Sequence, residues 1–324
     1  MQAFDFAAPT SVSQALGLAT TGSAYLAGGT TLVDLMKLDV MGPVHVIDIN
    51  GLPLAGVTTQ SDGLHIGALS RMSDVALDPN VTSQFPVVAQ ALLASASPQI
   101  RNMASIGGNL LQRTRCDYFR DTTTPCNKRQ PGSGCPAQTG VNRTHAILGT
   151  STSCAATHAS DLAVALVAMG ASVRLQGQSG QRTVALDGFY QLPGTTPNVE
   201  NVLQPGELII DVVLPPLPWA TTSSYLKIRD RQSYEFALTS VALAVELTGA
   251  TITDARVAVG GVATTPLRLP AVEAALRGRP ATTATYQAAA TNAATGAKPL
   301  SQNGFKVTLV QRAIVRALVE LVGA

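Results

Sequence analysis

The chain has 324 residues, enough for two or three compact units that each bury a core. Apolar residues make up 46% of it, charged residues 13% and aromatics 4%, which favours tightly packed small-residue layers over an aromatic-rich interior. A formal net charge of +2 makes no case for nucleic acid or an anionic membrane as partner, and no apolar run reaches the length of a membrane span.

The start, Met1-Gln-Ala-Phe-Asp-Phe, lacks a basic region followed by an apolar segment. By its own sequence the chain is expected in the cytoplasm, and in the periplasm only if it is exported on a partner that carries the signal. Residues 11–20 predict a helix with Val12, Ala15 and Leu16 inward. Residues 24–27 predict a short buried strand, and Gly28-Gly29-Thr30-Thr31 the turn after it. Thr30 or Thr31 is expected to cap a helix from Leu32 towards Leu38, and residues 44–49 form another strand. Residues 64–69 predict a strand, 85–95 a buried helix, and 100–112 an irregular segment built around Gly107-Gly108.

From Arg113 to Ala156 the apolar periodicity disappears, and Cys, Pro, Gly, Arg and Thr take over. A connection of that length is usually functional or disordered. Regular structure resumes with a helix at 162–168 and strands at 172–175 and 208–214. The Pro-rich stretch from Pro215 to Trp219 marks a boundary. Beyond it, 224–228, 237–247 and 255–262 predict strands, and 271–276 and 306–321 helices. The whole reads as an α+β chain ending in a sheet-and-helix domain.

Two glycine turns have the chemistry to hold a phosphate. In Ala27-Gly28-Gly29-Thr30-Thr31-Leu32, paired glycines let backbone N–H groups approach an anion without an intervening Cβ, and the hydroxyls add donors. An ordinary strand-to-helix turn has the same composition. The stretch is neither the Gly-x-Gly-x-x-Gly fingerprint nor a Walker loop. Ser105-Ile106-Gly107-Gly108-Asn109 is the second turn, and the pair suits a two-sided cofactor cradle.

All four cysteines, Cys116, Cys126, Cys135 and Cys154, fall in the aperiodic segment beside several Arg and Lys residues. Disulfides, structural zinc and a 4Fe–4S cluster are the three readings. The first lacks a signal peptide to support it. The second lacks short Cys-x-x-Cys knuckles, since the intervening gaps are nine, eight and eighteen residues. Four thiolates are also the ligand set of a 4Fe–4S cluster. His45, His65, His145 and His158 are scattered, and no Ser-His-Asp or paired-carboxylate site is evident.

Together these segments resemble the FAD-binding subunit of the xanthine dehydrogenase and aldehyde oxidoreductase family, the molybdenum hydroxylases. The matching pieces are Ala27-Gly-Gly-Thr-Thr-Leu32, Ser105-Ile-Gly-Gly-Asn-Leu110, Ser160-Asp161-Leu162 and residues 227–243, in the family's order over essentially the whole chain. The stretches Cys116-Asp-Tyr-Phe-Arg-Asp121, Cys126-Asn-Lys-Arg129 and Pro131-Gly-Ser-Gly-Cys135 are similar to the iron–sulfur loop of bacterial periplasmic aldehyde oxidoreductase FAD subunits.

The resemblance implies a two-subdomain FAD-binding fold of the vanillyl-alcohol-oxidase/PCMH type over residues 1–215. The subdomains would be about 1–55 and 56–215, with the iron–sulfur loop at 113–156. A C-terminal α/β domain similar to that of carbon monoxide dehydrogenase flavoproteins would span 216–324. Ala27, Gly28, Gly29, Thr30, Thr31 and Leu32 would bind the FAD pyrophosphate, with Ala96, Ile100, Ala104, Ser105, Gly108 and Asn109 on the other side. Ser160 and Asp161 match the family's Ser-Asp pair, and Leu203 and Lys227 match positions near the flavin ring. Cys116, Cys126, Cys135 and Cys154 would hold one 4Fe–4S cluster.

Aldehyde oxidation would take place on a molybdenum cofactor in a large partner subunit. Electrons would reach the FAD through 2Fe–2S clusters in a small subunit, then pass to a small-molecule acceptor, the three chains forming a heterotrimer. Arg229 to Phe236 departs from the animal members of the family, which puts NAD as acceptor in doubt, and Tyr234 is there either a cover for the ring or an ordinary packed residue. Purines, N-heterocycles and aromatic thioesters are alternative substrates, and a zinc-stabilised scaffold without redox work is the alternative of another class.

Overall fold

A computed structural model of the protein describes residues 1–323. The chain begins with β1 (Asp5–Ala7), α1 (Val12–Leu18), β2 (Ser23–Leu26), α2 (Leu32–Lys37) and β3 (His45–Asp48). Ser11 starts α1 by accepting a hydrogen bond from the Gln14 N–H, and Ala15 and Leu16 are its buried residues. The three strands form a parallel sheet in the order β1-β3-β2. Ala15, Leu16, Ile47, Ile49 and Leu52 make its small core.

Next come β4 (Val57–Gln60), β5 (Gly63–Gly67), α3 (Met72–Leu77), α4 (Pro79–Gln84), α5 (Pro86–Ala94), α6 (Pro98–Met103) and α7 (Ile106–Leu110). The segment expected to be irregular is thus two short helices. Ser97 caps α6 and Ser105 caps α7, each accepting from a backbone N–H three residues on. Gly107 and Gly108 lie inside α7 and form no separate turn.

After the long loop, in which the one α-helical turn is α8 (Asp117–Arg120), the chain forms α9 (Asp161–Ala168), β6 (Ser172–Gly177), β7 (Gly180–Ala185) and β8 (Leu208–Leu214). A second, antiparallel sheet has the order β4-β5-β8-β6-β7. Every residue of α9 is buried. A helix apolar all round is one covered on all sides. It packs on α5 and on three strands of the third sheet.

That third sheet has β9 (Ser223–Ile228), β10 (Thr239–Thr248), β11 (Thr251–Gly260) and β12 (Leu267–Arg268), in the order β12-β11-β10-β9. A two-residue strand, β13 (Arg279–Pro280), pairs with β11 beyond α10 (Pro270–Leu276). β11 begins earlier than the expected 255–262, because Thr251 pairs across the tight turn with Thr248. Alternation sorts the two faces. Ala242, Ala244 and Ala258 turn towards α9, and Val241, Leu243, Val245, Val257 and Val259 join a separate core.

That core is completed by α10, α11 (Thr283–Ala290) and α12 (Phe305–Val322). Val310, Ala313, Ile314, Ala317 and Leu318 make one buried stripe along α12 at helical spacing. Fully burying each such Leu, Ile or Val contributes about 1.5–3 kcal/mol. No helix of the described residues is long and apolar enough to cross a membrane.

Candidate functional site

The turn from β2 into α2 leaves its backbone donors free. Val33 and Leu35 donate to Gly29 and Thr31 carbonyls at 3.0 Å, but the N–H groups of Gly28, Gly29, Thr30, Thr31 and Leu32 have no acceptor among the described residues. Five successive unpaired N–H groups form a concavity suited to an anion. Gly29 has φ +71, a conformation that glycine adopts without strain. Thr31 occupies the N-cap position of α2, yet its side chain makes no cap hydrogen bond, contrary to the expected Thr30 or Thr31 cap.

Gly28 is needed for a different close approach. A Cβ there would meet the Met103 carbonyl oxygen at 2.0 Å and Ala104 Cα at 3.0 Å, so the turn rests directly on the end of α6. Asn50 and Arg71 lock this contact. Asn50 Nδ2 donates to Ala27 O at 2.9 Å, Arg71 donates to Asn50 Oδ1 at 3.0 Å, and Arg71 also donates to Met103 O.

Thr30 and Thr31 form one side of a cleft of about 370 Å³. Ala96, Ile100, Ala104, Gly108, Asn109, Asp161 and Lys227 of the expected set also line it. Ala96 (φ +49) and Tyr234 (φ +53) both reach the cleft from the left-handed region, a strain that folds tend to keep where a site requires it.

Other expected residues lie elsewhere. Ala27, Gly28, Gly29, Leu32, Ser105 and Leu203 are not among the residues lining the cleft, and Ser160 lines the cavity next to it. Leu203 packs on the edge of the main core. In the turn at Ser105 the donors of both glycines are already taken. Its Ile106, Gly107 and Gly108 N–H groups already bond Ser70 O, Ala68 O and Ser105 Oγ.

Asp161 is the polar hub at the base of the cleft. Its carboxylate takes Tyr225 Oη at 2.6 Å, Lys227 Nζ at 2.7 Å and Ser95 Oγ at 3.1 Å. Burial and the Asp161 charge raise the Tyr225 phenol well above its ordinary value. Asp161 itself starts α9, and the preceding Ser160 caps that helix while donating to Asn109 Oδ1 at 2.5 Å.

A second cavity of about 410 Å³ shares Arg115, Arg120, Ala159, Asp161, Glu235 and Phe236 with the cleft. Arg115 and Arg120 both bind Asp34 of α2, Arg120 through two hydrogen bonds of 2.7 and 3.0 Å. Arg120 holds the Asp34 carboxyl below the usual carboxylate range.

Cys116 and His145 separate this cavity from a much smaller one, and Cys116, Cys126, Cys135 and Cys154 all line the smaller one. All four thiols are free, so the disulfide reading does not describe this fold. Among the described residues no three His, Cys, Asp or Glu side chains are grouped so as to hold a single metal ion. A 4Fe–4S cluster is a larger body, and its four thiolates surround it rather than meet at a point. Four unpaired thiols around one cavity fit that group.

Burial pushes the Cys116 thiol up to about 12 and raises Cys154. Burial and the Lys306 charge lower the His145 imidazole, and burial takes His158 down to about 3. His158 stacks edge-on against Tyr190 at 4.5 Å and accepts the Ser160 N–H.

Several residues here carried no motif. Tyr225 stands two positions before Lys227 on β9, so strand alternation places both on one face. Ser95, Asp34 and Arg115 gave no local signal. Lys306 is fully buried, donates to Thr144 O and Gly261 O, and is lowered to about 7 by burial.

Two family models match the chain. The FAD binding domain in molybdopterin dehydrogenase covers residues 2–217, and the CO dehydrogenase flavoprotein C-terminal domain covers 224–321. The chain is 47% identical over 302 residues to the aldehyde oxidoreductase FAD-binding subunit PaoB of Escherichia coli (strain K12), covering 92% of this chain and 91% of that one. It is 28% identical over 323 residues to the carbon monoxide dehydrogenase medium chain of Hydrogenophaga pseudoflava, covering 97% and 96%. A solved structure of carbon monoxide dehydrogenase from Hydrogenophaga pseudoflava that lacks the Mo-pyranopterin moiety superposes with a TM-score of 0.76, covering 99% of this chain and 97% of the other.

Proposed function

This chain belongs to the FAD-binding subunits of the molybdenum hydroxylases, and from that premise we propose that it is the FAD- and 4Fe–4S-containing electron-transfer subunit of an aldehyde-oxidising heterotrimer. The aldehyde as substrate class is supported by the 47% identity to PaoB. A large molybdenum-cofactor subunit and a small 2Fe–2S subunit are the partners in this reading. It is supported by relatives that carry the names medium chain and medium subunit.

The observation that carries the proposal is the run of shared walls. Thr30 and Thr31, in the middle of the run of free N–H groups at 28–32, line the cleft, the cleft shares Arg115 and Asp161 with the second cavity, and that cavity shares Cys116 and His145 with the cysteine cavity. Residues 28–32 would hold the FAD pyrophosphate, with Ala96, Ile100, Ala104, Gly108 and Asn109 opposite. Lys227 would place its charge at the flavin, held there by Asp161. Bound FAD supplies a two-electron acceptor that returns electrons singly or in pairs. Cys116, Cys126, Cys135 and Cys154 would hold the cluster, which supplies a one-electron relay. The division of the chain falls at Pro215 to Trp219, between the second and third sheets.

Flavin and metal analysis of the purified complex tests the reading. One FAD and about four irons on this subunit are expected. Stoichiometric zinc in place of iron would overturn the cluster, and absence of flavin would overturn the whole.

A further inference from the structure

His145 stands at the wall between the cysteine cavity and the larger cavity, with 6% of its surface exposed. Its Nε2 lies 3.3 Å from Cys116 Sγ, within hydrogen-bond reach of sulfur. Its Nδ1 is buried and has no partner. A proton on Nδ1 would bury an unsatisfied donor, whereas a proton on Nε2 points at the sulfur. The geometry therefore favours the tautomer that donates to Cys116.

The ring cannot easily turn away. The His145 N–H donates to Asn142 O at 3.0 Å, and Asn303 Nδ2 donates to the His145 carbonyl at 3.2 Å. On one side, Lys306 Nζ grips the Thr144 carbonyl at 2.8 Å, and on the other the Ala146 N–H bonds Ala155 O at 2.9 Å. The backbone around His145 is thus pinned on both sides, which fixes the Cα–Cβ bond from which the ring reaches the Cys116 sulfur.

We propose that His145 is a positioning residue that tunes the iron–sulfur group, its Nε2–H donating to the Cys116 sulfur and raising the potential at which the group accepts an electron. The inference rests on the reading of the four cysteines as cluster ligands. Reduction adds negative charge that is shared with the ligand sulfurs. A donor aimed at one of them stabilises the reduced form more than the oxidised form. Of the four thiols, Cys116 alone also lines the larger cavity, so the bond acts on the sulfur nearest the proposed flavin side.

The test is a redox titration of the intact complex followed by electron paramagnetic resonance, with iron and flavin measured on each sample. His145→Phe removes the donor and should lower the cluster midpoint and shift its reduced-state signal at unchanged flavin content. His145→Gln carries an amide N–H close to the original Nε2 and should recover most of the wild-type midpoint. His145→Phe with full iron and a wild-type midpoint would overturn the proposal. Should that variant fail to fold, His145→Asn against His145→Gln decides. The shorter amide should titrate lower than the longer one, and equal midpoints refute the hydrogen bond. A wild-type complex without iron refutes the ligand reading itself, an outcome separate from the others.

Discussion

Lys227 Nζ lies 2.7 Å from Asp161 Oδ2, and the two side chains are only 4% and 7% exposed. From its sequence neighbourhood alone Lys227 looks like a solvated surface lysine. In the fold it crosses from β9 to the start of α9 and closes the base of the cleft. Removing one member of a buried pair leaves an uncompensated charge. Asp161→Asn should therefore destabilise the protein by about 3–5 kcal/mol and empty the flavin site. Adding Lys227→Met should restore part of that stability without restoring the flavin. Urea unfolding and flavin absorbance measure the two effects separately.

The N–H groups at residues 28–32 give a cleaner probe of phosphate binding than Gly28 does. Aspartate is a preferred N-cap residue, so Thr31→Asp should leave stability unchanged or raise it by up to about 1 kcal/mol. Its carboxylate would compete for the same donors and repel a pyrophosphate. Loss of flavin from a folded Thr31→Asp protein is expected, and full occupancy would argue against the assignment.

Gly28→Ala should act through packing instead. The added Cβ collides with the Met103 carbonyl at 2.0 Å, which is backbone and cannot swing aside. Lower thermal stability is expected even in flavin-free protein. An apoprotein melting temperature equal to wild type would show that the contact yields.

Cys135→Ser weakens one of four proposed ligands. Iron content should fall well below the wild-type value while flavin, whose proposed seat is at residues 28–32, is largely retained. Iron analysis beside flavin absorbance distinguishes this from general unfolding, in which both would fall together.

The His65 network gives a pH signature remote from any cofactor. His65 bonds Asp211 Oδ2 at 3.0 Å and Asp62 Oδ1 at 2.7 Å. Burial lowers the imidazole, but the two carboxylates outweigh it and the net shift is upward. A raised folded value means stabilisation that is full below the unfolded value of about 6.5 and is lost as pH climbs through the folded value. The stability gap between wild type and His65→Gln should therefore be widest in acid and narrow with rising pH. Denaturation curves across that range check it, and a constant gap would count against a titrating His65.

Much of the fold was legible because it follows patterns that a sequence displays. The helical stripe from Val310 to Leu318 and the near-continuous apolar run of the strand from Thr239 to Thr248 are examples. So was the crowding of all four cysteines into one aperiodic loop. Helices α6 and α7 were missed because they are six and five residues long, too short for periodicity, and their real signals were the capping serines Ser97 and Ser105. β7 was missed because its GQRTVA sequence is polar and mostly exposed. The partners of Asp161 come from β9 and the turn after α5. Only folding brings these together, and no spacing rule could have paired Ser95 with Tyr225.

The pinning of the cysteine loop also sets an order of events during synthesis. Asn142 exchanges hydrogen bonds with Ser301 and Gln302, and residues 144–146 are held by Asn303 and Lys306. A ribosome makes about 5–20 residues per second, starting from the N-terminus. For several seconds after Cys154 has emerged, the segment that fixes its neighbourhood does not yet exist. The final shape of the loop must wait for residue 306, so a cluster of the kind proposed for its cysteines would enter that shape late, after translation of nearly the whole polypeptide.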